Sequence, residues 1–258
     1  MTLQMLVAAM HKSPLELAEE MQLGCDAIIV SQGEHYAYEE VEYKGHQLRY
    51  FAMAERGVGL SRNTALYRAT SDIILFADED IVYEEGYADK VLEAFEQHPE
   101  ADMLLFNVQA VKGRETYHND SFSRVHWYNC GRYPTYSFAA KRELIHKYNI
   151  TFSLLFGGGT KYSNGEDSLF IRDCLKAGLK VYKVPVHIGA EKERPSTWFQ
   201  GHNQKFFFDR GVLYSQLYGK LAKAMALRFL LAHKEELCTQ MSLKQALGIM
   251  CEGIREGR

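Results

Sequence analysis

Ten residues, Ser71 to Asp80, constrain this chain more than any others. After Ser71-Asp72, the apolar run Ile73, Ile74, Leu75 and Phe76 has the length and composition of a parallel strand covered on both faces. Cover on both faces requires helices above and below a sheet, so the fold class is α/β. The run then inverts into Asp78-Glu79-Asp80. The period of two along an extended segment sends Asp78 and Asp80 to one side and Glu79 to the other. Two carboxylates that converge on one point repel, and a divalent cation with hard oxygen ligands, Mg²⁺ or Mn²⁺, relieves the repulsion. A solvated acidic loop is the plainer reading of a bare D-x-D, but the end of such a strand is where open α/β sheets bind ligands.

Two further stretches share this character. Upstream, Gly57-Val58-Gly59-Leu60-Ser61-Arg62-Asn63 reads as a flexible turn followed by a helix capped by Ser61, with Arg62 and Asn63 in its first turn and Leu66 and Ala69 buried. Backbone N–H groups at a helix start, beside a guanidinium, attract phosphate; a capped helix with a surface Arg is the bland alternative. Downstream, Asn164-Gly165-Glu166-Asp167 opens a helix whose Phe170, Ile171 and Cys174 recur at three- and four-residue spacing after Asp167. Asp167 therefore starts the inward face, although an acid at a helix start is also favoured by the dipole alone. The glycine run Gly157-Gly158-Gly159-Thr160-Lys161-Tyr162 is a loop, and its spacing excludes a Walker A phosphate loop.

The amino-terminal third reads as strand (Leu3 to Met10), helix (Pro14 to Met21) and strand (Asp26 to Val30), the βαβ opening of a nucleotide-binding sheet. The second strand runs into Ser31-Gln32, whose amide offers a donor and an acceptor to the edge of uracil or thymine. With 258 residues, 47% of them hydrophobic, the chain has material for one large core plus an appendage. A net charge of −3 argues against nucleic-acid binding. Five scattered cysteines suggest reduced thiols and a cytoplasmic setting, and no segment has the apolar length of a membrane span or the pattern of a signal peptide.

The order G-x-x-S-R-N-x-A-L-x-x-A-T, apolar strand, D-x-D and then a distant E-D pair at a helix start resembles the inverting glycosyltransferases of family 2, over roughly residues 3 to 210. The resemblance implies a GT-A fold: a mainly parallel central sheet flanked by helices, here with a C-terminal helical extension. It implies two domains, catalytic residues 1–195 (nucleotide part about 1–108, acceptor part about 109–195) and an extension over 196–258. The implied activity is transfer of a sugar from a nucleotide-sugar donor, with a UDP-sugar favoured, to a saccharide or polyprenyl-linked saccharide in cell-surface polysaccharide synthesis.

By the same resemblance, Ala8, Gln32, Arg62, Asn63, Asp78 and Glu79 lie on the donor side, and Asp80, with Asp78 and His187, holds Mn²⁺ or Mg²⁺. A general base must take the acceptor's proton, and Asp167 is its counterpart, with Glu166, Gly158 and Trp198 on the acceptor side. The chain departs from the family after the first strand, where Ala9-Met10-His11 replaces Thr-Tyr-Asn, and after the second, where Ser31-Gln32 replaces an acidic turn. His202 competes with His187 as a ligand. The tail from about Asp209 to Glu236 reads as one amphipathic helix with Leu213, Leu217, Leu221 and Met225 on its apolar stripe and Lys220, Lys223 and Arg228 beside it. Such a helix suits docking on the catalytic domain, a second copy of the chain, or the anionic inner face of the cell membrane. A final helix capped by Ser242 suits packing or dimerisation. Two rival readings remain at this stage: a non-catalytic binder of the same fold, and a sugar nucleotidyltransferase, which Ala8 to Lys12 disfavours because it lacks a glycine-rich basic loop.

Overall fold

The computed structural model describes residues 1–10, 12–193, 201–239 and 241–258. Trp198 and the expected boundary near residue 195 lie outside them. The chain opens as β1 (Leu3–Met10), α1 (Pro14–Met21), β2 (Asp26–Gln32), β3 (Ala37–Tyr43), β4 (His46–Met53) and α2 (Val58–Leu66). It continues as β5 (Ile73–Asp78), β6 (Ile81–Tyr83), α3 (Tyr87–Gln97), β7 (Met103–Gln109), β8 (Ser123–Arg124), β9 (Phe138–Lys141) and α4 (Arg142–Lys147). After α5 (Glu166–Lys176) and β10 (Val181–Glu191) come α6 (Gln204–Tyr218), α7 (Ala222–Ala232), α8 (Lys234–Leu237) and α9 (Leu243–Glu256).

These strands form one ten-stranded sheet in the order β3-β4-β2-β1-β5-β9-β7-β10-β6, with β8 paired to β10. The central pairs β1–β2, β1–β5, β2–β4 and β7–β10 are parallel. The short β9 is antiparallel to both β5 and β7, so the sheet is mixed. Alternation along β5 builds both layers: Ile73, Leu75 and Ala77 pack with α1 and α3, whereas Ile74 and Phe76 pack with α2, α4 and α5. The expected two-sided burial of this strand is thus met residue by residue. Its end, Asp78, lies in register with Ala8 at the end of β1.

The C-terminal helices share a third core with Phe156, Tyr162 and Leu169, which flank the start of α5. Asp209 on α6 accepts hydrogen bonds from Ser163 N and Oγ, both at 2.9 Å. Leu213 fills the space where Gly165 lacks a side chain; a Cβ there would lie 2.6 Å from its methyls. The tail is therefore built against the loop that leads into Glu166 and Asp167. It is broken where one helix was expected: Gly219, at φ 52°, ends α6 and turns the chain into α7. Ser242 does cap the last helix, in a reciprocal pair with Gln245. All five cysteines are free thiols. Among the described residues no helix is long and apolar enough to cross a membrane.

Candidate active site

The helix that carries Arg62 begins earlier than its sequence suggests. Gly57, at φ 128°, makes a sharp entry that residues with side chains rarely adopt, so α2 starts at Val58 and not after Ser61. Arg62 and Asn63 consequently sit past the first turn. The expected phosphate-binding helix start is occupied: Val58 N donates to Gly158 O at 3.1 Å, and Gly57 N donates to Gln32 Oε1 at 2.7 Å. Gln32 thereby commits one lone pair of its acceptor to the turn and keeps its amide nitrogen for a nucleobase.

Against α2 lies the segment from Phe152 to Tyr162. Asn63 grips it twice, donating from Nδ2 to Phe152 O at 2.9 Å and accepting from Phe152 N at 2.8 Å. Both ends of that amide are used, which makes Asn63, expected beside the donor, a clamp between α2 and the loop. Gly59 permits the approach, since a Cβ on it would fall 2.3 Å from Ser153 O. Gly157 is similarly crowded, with a Cβ position 2.8 Å from Glu166 Cδ.

These contacts deliver Arg62 to the centre of the site. Its Nη2 donates to Asp78 Oδ1 at 2.8 Å and its Nη1 to Glu166 Oε1 at 2.9 Å, with its guanidinium 5.3 Å from the Phe152 ring centre. One buried cation thus ties the end of β5 to the start of α5, elements 104 residues apart at the second contact. Burial opposes the charge on Arg62, but the two carboxylates overcome it and hold its pKa well above the ordinary value. Arg62 was expected to meet the nucleotide or diphosphate; with a 5% exposed side chain and both Nη atoms engaged, it acts here as a brace.

Asp167 follows Glu166 in the first turn of α5. Its Oδ1 accepts from Ser168 N at 2.6 Å and Ser168 Oγ at 3.2 Å. Burial first, and repulsion by Glu166 second, raise its proton affinity, against the Ser168 hydrogen bonds and Arg62; its pKa is pushed up to about 7. A carboxyl so placed exchanges a proton near neutral pH.

At the strand end, Glu79 turns back to β1, accepting from Met10 N at 3.0 Å, while its own N donates to Ala8 O at 3.2 Å. Asp78 and Asp80 remain partly exposed, and Asp80 O accepts from Lys192 N at 2.7 Å. Their negative field extends to Tyr83 and Tyr136, where it adds to burial in raising the phenol pKa. Tyr136 and Glu191 are neighbours of this end that periodicity could not find, since they come from segments with no motif of their own.

Among the described residues no three His, Cys, Asp or Glu side chains gather around a cation position. Asp78 uses one oxygen on Arg62 and keeps a second at a 26% exposed side chain. This set fits a cation that takes one or two carboxylates from the chain and its other ligands from phosphate and water, the habit of Mg²⁺. His187 does not complete it. In the β6–β10 pairing Ile81 faces Glu191, four residues along β10 from His187, or about 13 Å at a strand's rise. Its Nδ1 instead pairs with Glu84 Oε1 at 2.6 Å. His202 lies in the tail, its ring 4.9 Å from that of Phe206.

Comparison with known proteins identifies the fold and the family. No curated protein matches the chain in sequence. Its fold matches S. aureus TarS 1-349 in complex with UDP-GlcNAc, with a TM-score of 0.65, 14% identity, and coverage of 98% of this chain and 82% of that one. The same fragment with UDP matches at a TM-score of 0.64 and 15% identity over 99% of this chain and 82% of that one. The longer S. aureus TarS matches at 0.62 and 13% identity over 98% of this chain, which spans 49% of it. The family described as glycosyl transferase family 2 matches residues 25–157, just over half of the chain, including α2 and the D-x-D strand end. The chain belongs to glycosyl transferase family 2, has the GT-A fold and is a glycosyltransferase.

Proposed function

We propose that this enzyme is an inverting, metal-dependent transferase that moves a sugar from a UDP-sugar to a hydroxyl of a saccharide or lipid-linked saccharide, in the synthesis of a cell-surface polysaccharide. The observation that carries this reading is the Asp78–Arg62–Glu166 bridge, which joins the acidic end of β5 to the helix start that presents Asp167. Donor and acceptor would meet between those two elements. The UDP assignment draws support from the ligands of the TarS complexes and from the amide nitrogen of Gln32.

Asp78 and Asp80 are the residues that would hold Mn²⁺ or Mg²⁺, which when bound neutralises charge developing on the departing diphosphate. Asp167 takes the proton of the acceptor hydroxyl as its oxygen forms the new bond to the anomeric carbon. The bond from that carbon to the diphosphate oxygen breaks on the opposite side, and its electron pair leaves with the nucleotide. A single displacement of this kind inverts the anomeric configuration. Its proton affinity, set by burial and by Glu166, suits a base working near neutral pH. Arg62 offsets the charges of Asp78 and Glu166, so that neither repels the donor diphosphate at full strength.

The proposed setting is the cytoplasmic side of the membrane, with peripheral contact. Exposed Leu227 and Leu231 on α7, beside exposed Lys223 and Arg228, support that contact, and the same face suits a second copy of the chain. Calorimetric titration of UDP, GDP and dTDP, each with Mn²⁺ and again with EDTA, tests the donor assignment. UDP binding that requires Mn²⁺ and is lost in Asp80→Asn is the expected result; a metal-independent or absent response to all three nucleotides would refute it.

A further inference from the structure

Between β8 and β9 the chain exposes a group of rings that the transfer chemistry leaves unused. Trp127 and Tyr128 are 50% and 51% exposed, a large apolar area to leave in water on two consecutive residues. They are not loose. Their rings meet edge to face with centres 5.6 Å apart, His126 stacks on Tyr128 at 5.4 Å, and Trp127 meets Tyr218 of α6 at 6.3 Å. The backbone beneath is a closed turn: His126 N donates to Asn129 Oδ1 at 2.8 Å, Asn129 N to His126 O at 3.1 Å, and Cys130 Sγ to Trp127 O at 3.4 Å.

This turn adjoins the proposed base. A Cβ on Gly131 would lie 3.6 Å from Tyr218 Oη and 3.7 Å from Ser168 Oγ, and that Ser168 Oγ donates to Asp167 Oδ1 at 3.2 Å. The ring-bearing turn, the end of α6 and the start of α5 thus lie within van der Waals reach of one another. Rigid rings with polar tips give contact area at small cost in conformational entropy. A pyranose suits them, because it carries C–H bonds on its faces and hydroxyls at its rim.

We infer that Trp127, with Tyr128 and Tyr218 set at steep angles beside it, is a stacking platform for a sugar ring of the acceptor beyond the one whose hydroxyl reaches Asp167. The acceptor is then a glycan of at least two pyranose rings, and Trp127 is its specificity residue. The inference rests on the assignment of Asp167 as the base.

The probes are cellotetraose, chitotetraose and laminaritetraose, with glucose and N-acetylglucosamine as single-ring controls, titrated by calorimetry into the full chain carrying UDP and Mn²⁺. At least one tetrasaccharide is expected to bind more tightly than its monosaccharide, to lose about tenfold in affinity in Trp127→Ala and to recover most of it in Trp127→Phe. The chain has only two tryptophans, so in Trp198→Phe the same sugar should shift the emission of Trp127. Because Trp127 is exposed, Trp127→Ala should keep its melting temperature and its affinity for UDP. No binding by any tetrasaccharide, or equal binding to Trp127→Ala, would overturn the platform while UDP binding stands. Absence of UDP binding in the unaltered chain would instead overturn the UDP-donor reading beneath it.

Discussion

Replacing Arg62 by Met removes one cation and leaves two carboxylates facing each other across the place it occupied. Breaking a buried ion pair from one side costs about 3–5 kcal/mol, because the partner's charge remains in a poor solvent. Asp78 and Glu166 have side chains 26% and 13% exposed, so water solvates them in part and the lower end, about 3 kcal/mol, applies. For a chain of this size that loss lowers the melting temperature by about 6–12 °C. Circular dichroism melts at pH 7.5 would read it. The triple variant Arg62→Met, Asp78→Asn, Glu166→Gln should recover most of the loss, since it replaces the charges by neutral groups of similar volume. A melting temperature for Arg62→Met within about 2 °C of the parent would refute the view that one buried guanidinium holds the two motifs together.

Asp167→Asn should stabilise the fold in a pH-dependent way. An acid whose proton is held by burial stabilises the native state fully below the unfolded value near 4, and the contribution is lost as pH rises through about 7. Urea unfolding should therefore find parent and variant alike at pH 4 and the variant more stable, by about 2 kcal/mol or more, at pH 8. Gly59→Ala should cost about 2–4 kcal/mol in the same assay, because its methyl would meet Ser153 O at 2.3 Å and neither backbone can withdraw without losing the Asn63–Phe152 bonds. His187→Ala should leave Mn²⁺-dependent UDP binding within about twofold of the parent, and a tenfold loss would return His187 to the metal.

The parts of this fold that sequence reveals are those where one physical rule acts alone. β5 must be buried on both faces because it has no polar position from Ile73 to Ala77, and it is. The E-D helix follows from its apolar spacing, and its start at Glu166 coincides with the expected turn. What escaped depends on contacts between distant segments. Ser61 is a good cap in isolation, but the unusual φ of Gly57 starts the helix four residues earlier and moves Arg62 from an exposed helix start to a buried brace. Gln32 and Asn63 have the chemistry of ligand contacts, and their bonds to backbone groups at Gly57 and Phe152 come from segments that no local spacing brings together. β5 ends at Asp78, so Asp80 lies one turn residue beyond the stretch where the period of two applies. β9 is four residues of Phe-Ala-Ala-Lys, too short and too plain to signal that it inserts antiparallel between β5 and β7. The tail's apolar stripe is real at Leu213, but Gly219 breaks it and turns Leu221 out to 52% exposure.

The most direct test of the central claim separates donor binding from proton removal at one residue. Asp167→Asn should keep the parent's affinity for UDP with Mn²⁺ by calorimetry, while release of UDP from UDP-N-acetylglucosamine or UDP-glucose in the presence of an oligosaccharide acceptor falls by about 10²- to 10⁴-fold. Turnover within tenfold of the parent, with UDP binding intact, would contradict the account and place the base elsewhere.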